Sequence, residues 1–124
     1  MRVYIAFEYN PNKASFFQKA RFEAAKIIYG QYPPDSAINY IWTSREDEAG
    51  ILTNTYADEV KMIVLEKGNK YIRQWRGEEV NILEDYRKAF GTDPPRMASI
   101  VIMNDSDNTK EKSISYMDYI EIFR

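Results

Sequence analysis

A helix-like segment, a Pro-Pro pair and then an apolar run occur twice in this chain. The first copy is SFFQKARFEAAKIIYGQYPPDSAINYIW, and the second is NILEDYRKAFGTDPPRMASIVIM. Proline has no amide donor and biases the residue before it away from helix. Each pair therefore ends a helix and launches an extended segment. A sheet with interposed helices is implied, but no particular chemistry. The two units differ too much elsewhere to count as a repeat.

The remaining elements follow from periodicity. Strict alternation predicts strands at 2–9 and 37–43, and longer apolar runs predict strands at 59–66 and 97–104. Segments 70–76 and 113–123 also alternate and are read as strands, with 45–50 as an acidic, glycine-containing loop that Asn54-Thr55 continues. On 70–76, Tyr71, Arg73 and Trp75 are expected to share a face. Helices are predicted at 15–29 and 81–90, with Ser15 as a cap and Gly30 and Gly91 as stops. In the first helix Phe17, Ala20, Ala24 and Ile28 form the apolar stripe, and Lys13, Lys19, Arg21 and Lys26 make the remainder basic. Together these elements predict a single domain over 1–124, mainly β with two helices: an antiparallel β-sandwich, jelly-roll-like.

Composition removes several function classes. The chain has 124 residues, no histidine and no cysteine. Ser-His-Asp and Cys-His triads, thiolate or histidine-ligated metals and disulfides are therefore excluded within it. With 17 basic and 19 acidic residues the formal charge is -2, too weak a field to recruit nucleic acid. No apolar run approaches the roughly 20 residues that span a bilayer, so no membrane insertion is expected. MRVYIAFEY alternates and does not read as a signal peptide.

Six blocks in register carry a family resemblance: RVYIAFEY, YGQYPPDSAINYIW, NTYADEVKMIVLEKG, DYRKAFGTDPP, IVIMNDSDNT and SYMDYIEIF. In that order they resemble an uncharacterised bacterial family, the domain of unknown function three-zero-four-seven. The resemblance implies an exported, periplasmic protein and a longer domain with further strands before RVYIAFEY. On that implication this chain is the C-terminal part of the family domain. The missing strands would leave a sheet edge exposed, so a homodimer or a partner covering that edge is expected. The closing segment is also similar to the last strand of galactose-binding-like jelly rolls in carbohydrate-binding modules. No activity accompanies the family, so the resemblance carries over no catalytic residues.

Candidate sites come from residue chemistry. Asp105, Asp107 and Asn108 place oxygens close together between two strands, where they can ligate a hard cation such as a structural calcium. The same residues also make turns by bonding their own backbone. Asp118 shares its strand face with Ile114, Tyr116, Ile120 and Ile122, which implies an inward carboxylate; it pairs with a cation or amide, joins the metal site, or sits on a bulge that turns it outward. Glu8, Glu46, Asp47, Glu48, Glu78 and Glu79 are available for acid chemistry, but spacing places no two across a cleft. Tyr40, Trp42, Tyr71 and Trp75 can stack on sugar rings, with Asn39 and Arg73 beside them for hydroxyls. The tryptophans equally fill a core between sheet and helix. The favoured reading is a non-catalytic module binding carbohydrate or cell-envelope glycan. The alternatives are an enzyme acting on envelope polysaccharide through acidic residues, and a structural protein-interaction domain.

Overall fold

The structure, a computed structural model, describes residues 1–54, 57–104 and 112–123. Its elements are β1 (Arg2–Phe7), α1 (Phe16–Tyr29), β2 (Ser36–Thr43), β3 (Ile51–Thr53), β4 (Val60–Lys67), α2 (Ile82–Phe90) and β5 (Ala98–Met103). The five strands form one open sheet in the order β3-β4-β2-β1-β5. β1 lies between β2 and β5 and is antiparallel to both. The two helix-Pro-Pro units thus deliver their strands to opposite sides of β1.

Both helices begin and end where capping chemistry says they should. Ser15 Oγ accepts the Gln18 N–H at 3.3 Å, and Asn81 Oδ1 accepts the Glu84 N–H at 3.1 Å. Gly30 and Gly91 close the helices in left-handed conformation, at φ 78° and 74°, which costs glycine nothing.

The core lies on one face of the sheet, under α2. Ile5 and Phe7 of β1, Ile38 and Tyr40 of β2, and Tyr86 of α2 are buried together, with Val3, Ile63, Leu65, Ile82 and Phe90 packed around them. Two polar contacts fix α2 on this face. Tyr86 and Ser36 share a buried 2.8 Å hydrogen bond, and the Tyr40 hydroxyl donates to Asp85 at 2.7 Å. The Tyr86 ring also meets Phe7 edge-on, with centroids 4.7 Å apart.

Four expectations are corrected. First, the fold is mixed α/β, not an antiparallel sandwich or jelly roll: β2 and β4 are parallel, and the described residues form a single sheet. The cause is β3, which takes the edge beyond β4 and is antiparallel to it, so β4 returns alongside β2 in the same direction. Second, β3 falls within the segment read as a loop; three residues are too few to show alternation. Third, 70–76 is not a strand. Residues 70–73 form a turn, and Arg73 adopts φ 61°, so Tyr71, Arg73 and Trp75 do not line up on one face. Fourth, 113–123 pairs with no described strand. Asn104 holds its start, donating to the Ser113 carbonyl at 3.0 Å and accepting from the Ser113 and Ser115 hydroxyls.

Candidate functional site

Because β2 and β4 run parallel, both finish at the same end of the sheet, at Thr43 and Lys67. The segments leaving them, 44–50 and 68–81, meet there. A bulge at Leu65, between the pairs Ile41–Val64 and Trp42–Glu66, re-aims the last residues of β4. The Trp42 indole N–H donates to the Gly68 carbonyl at 3.1 Å, and the Gly68 N–H donates to the Thr43 carbonyl at 2.8 Å. Gly68 has φ 66° and supports the Glu46 carboxylate so closely that a Cβ there would stand 1.7 Å from Glu46 Oε1.

A hollow of about 340 Å³ opens between the two segments, lined by Glu46, Glu48, Glu66, Lys67, Lys70 and Tyr71. Its polar groups are held in place. Thr43 Oγ1 donates to Glu48 at 2.6 Å and accepts the Arg45 N–H at 3.1 Å. Lys67 donates to the Glu46 carbonyl at 3.0 Å. Arg76 places Nε and Nη2 each 2.9 Å from Glu66 Oε1, with its guanidinium carbon 4.3 Å from the Tyr71 ring centre. Lys70 Nζ lies 4.9 Å from the same ring centre. Arg76 therefore clips the irregular 70–78 segment back onto β4.

One titration stands out. Partial desolvation, and then a hydrogen bond shared with Glu66, raise the Glu78 carboxyl above its ordinary range. When protonated, Glu78 donates to Glu66, and the Arg76 cation beside them opposes the shift only in part. Glycoside hydrolysis needs its two carboxyls about 5–5.5 Å or 6.5–9.5 Å apart, with the sugar between them. Glu66 and Glu78 touch, so this pair does not flank a sugar.

The sequence-derived candidates divide between this site and the interior of the sheet. Tyr71 lines the hollow, Trp42 is half-buried at the sheet end, and Arg73 and Trp75 are exposed on the adjoining segment. Trp75 is 73% exposed and fills no core. Asn39 and Tyr40 are buried on opposite faces of β2 and cannot reach a ligand there. Burial, and then the Asp85 bond, push the Tyr40 hydroxyl far above its usual pKa. Neither amide atom of Asn39 has a partner among the described residues. Of the acidic candidates, Glu46 and Glu48 line the hollow and Glu78 reaches its edge. Glu66, Lys70 and Arg76 were missed. The one available signal was Glu66 itself, a lone carboxylate near the end of the apolar run VKMIVLEKG.

Asp105, Asp107 and Asn108 lie outside the described residues. Asp118 is exposed where an inward carboxylate was expected: 113–123 joins no sheet among the described residues, and the half-buried positions of the segment are Ser115 and Met117. Among the described residues, no group of three or more acidic side chains could hold a metal ion. No helix among them is long and apolar enough to cross a membrane.

Fold and site together define a small mixed α/β domain with a charged, aromatic hollow at the ends of its two parallel strands. The chain belongs to the family described as "Protein of unknown function (DUF3047)", which it matches over residues 1–121. No curated protein and no solved structure matches it.

Proposed function

We propose that the chain is a non-catalytic binding module and that its ligand is a carbohydrate of the cell envelope, taken at the hollow between 44–50 and 68–81. The observation that carries this reading is the 70–76 segment. It presents Tyr71 at the hollow and carries an exposed Trp75 four residues further on, and Arg76 ties it to Glu66 of β4. Planar rings stack on the apolar faces of sugars, while fixed carboxylates and amines meet the hydroxyls. Rigid attachment lowers the ordering cost of binding. The support comes from this hollow and not from the likeness of 113–123 to a galactose-binding-like strand. The reading as an enzyme acting on polysaccharide would use Glu78 as its acid, and the contact with Glu66 disfavours it.

A glycan-array screen tests the proposal, followed by titration calorimetry on wild type, Tyr71→Ala and Trp75→Ala. The expected result is a hit in wild type that weakens at least tenfold in both variants, with unchanged circular dichroism. Binding that survives both substitutions overturns the assignment of the site. Cleavage of a polysaccharide by wild type, abolished in Glu78→Gln, replaces the module with the enzyme.

A further inference from the structure

Among the apolar surfaces that the described residues turn to solvent, the stripe of α1 and the segment 113–123 have complementary chemistry. On α1, the 3.6-residue period puts Phe16, Phe17, Ala20, Ala24, Ile27 and Ile28 on one side and Phe22 on the other. Phe22 is the residue that is buried, at 2% exposure. The stripe points away from the sheet: Phe17 and Ile27 are each 84% exposed, and Ile28 72%. Basic residues rim it. Arg21 is paired with Glu59 and Lys26 sits over the Tyr32 ring, whereas Lys13 and Lys19 have no ion-pair partner among the described residues.

Segment 113–123 is the second surface. Ile114, Tyr116, Tyr119 and Ile122 are 74–76% exposed, and Asp118 and Glu121 have no ion-pair partner among the described residues. This segment is therefore apolar and acidic where the helix stripe is apolar and basic. Within one chain the two surfaces leave each other open.

We propose that α1 docks the 113–123 segment of a second copy of this chain, and that the second copy's α1 docks the first copy's segment in return. The exchange is isologous, so two contacts form for one two-fold axis and both apolar surfaces close at once. Covering exposed apolar surface drives the association. Pairing Lys13 and Lys19 with Asp118 and Glu121 sets its polarity and makes it salt-sensitive. This surface is separate from the hollow at the strand ends, so the two proposals stand or fall independently.

The absence of native cysteine allows a direct test on the full chain. Ala24→Cys protein and Ile120→Cys protein are oxidised separately and as a mixture, and sedimentation is run on wild type. The expected result is a wild-type dimer and a disulfide that forms efficiently only in the mixture. Lys19→Glu should weaken the dimer at least fivefold, and adding Asp118→Lys should restore it. Circular dichroism keeps a misfolded variant from counting. A protein that stays monomeric at about 100 μM (~10⁻⁴ M) overturns the proposal. Disulfides in the Ala24→Cys sample alone overturn it in favour of helix on helix. A monomer that co-sediments with phosphatidylserine-containing vesicles overturns it in favour of a lipid surface.

Discussion

The two helices are written alike and used differently. Each has a polar N-cap, an apolar stripe, a left-handed glycine and a Pro-Pro exit. α2 is the shorter, yet it lays Ile82, Tyr86 and Phe90 on the sheet and anchors them with hydrogen bonds to Ser36 and Tyr40. α1 is longer and turns its stripe to solvent. Its attachments are Phe22 stacked on Tyr9, with ring centres 3.8 Å apart, the Gln18–Asp35 bond at 3.0 Å and the Arg21–Glu59 pair at 2.7 Å. Caps and breakers decide where a helix starts and stops. Which side is buried depends on the partner surface.

The largest expected effect separates the helices by stability. Tyr86→Ala removes a buried ring together with its bond to Ser36 and should cost about 3–5 kcal/mol, read from urea unfolding. Phe22→Ala should instead release α1 locally, since an isolated helix of this length is marginal in water. Hydrogen exchange would then show residues 16–29 approaching peptide rates while α2 stays protected. Uniform exchange across both helices would break the comparison and put α1 in the same cooperative unit as the core.

A smaller effect is tied to pH. The hydrogen bond from Arg21, more than any other cause, holds Glu59 below its ordinary range. Its folded value lies below its unfolded value of about 4.3, so the pair's contribution is present above that pH and is lost as pH falls through the folded value. Exposure limits it to about 1 kcal/mol or less. On α2, Glu84 and Asp93 are also lowered, but they pair within the helix and its exit, not with the sheet. Acidification should therefore loosen the attachment of α1 to the sheet, and Glu59→Gln should show the same exchange pattern already at pH 7. Glu78 has the opposite sign. Its raised pKa means that the folded state binds more protons, so stability falls as pH rises above about 4.3. Glu78→Gln should flatten that fall; an unchanged profile would mean that its contact with Glu66 is not made in solution.

The smallest effect is the sharpest test of which way α1 faces. Phe17→Ser and Ile28→Ser, measured in dilute monomer, should change stability by no more than about 0.5 kcal/mol. A loss of several kcal/mol in either would show that the stripe is covered by its own chain.

Much of the fold was legible because local chemistry is strong. The caps at Ser15, Gly30 and Gly91, and the alternation or apolar runs of β1, β2, β4 and β5, all appear within a residue or two of their expected places. The site was less legible. Tyr71, Trp42 and Trp75 were singled out for their rings, but a turn places Tyr71 and Trp75, not the strand face expected to hold them. Strand alternation groups Tyr40 with Trp42, and Asn39 joins them only as a neighbour for hydroxyls, although both are buried, on opposite faces of β2. Arg76 finds Glu66 across a turn that contains a left-handed arginine, and no spacing rule announces such a pair.

By itself the sequence determined the helix boundaries, four of the five strands and the absence of histidine and thiol chemistry, because side-chain type and near-neighbour sterics settle those. Tertiary structure alone decided that β4 lies parallel to β2, that 70–76 folds into a turn against Glu66, and that the stripe of α1 faces outward. Each of these depends on contacts between residues far apart in the chain. A helix or strand pattern states only that a face must be covered, and the rest of the chain supplies or withholds the cover.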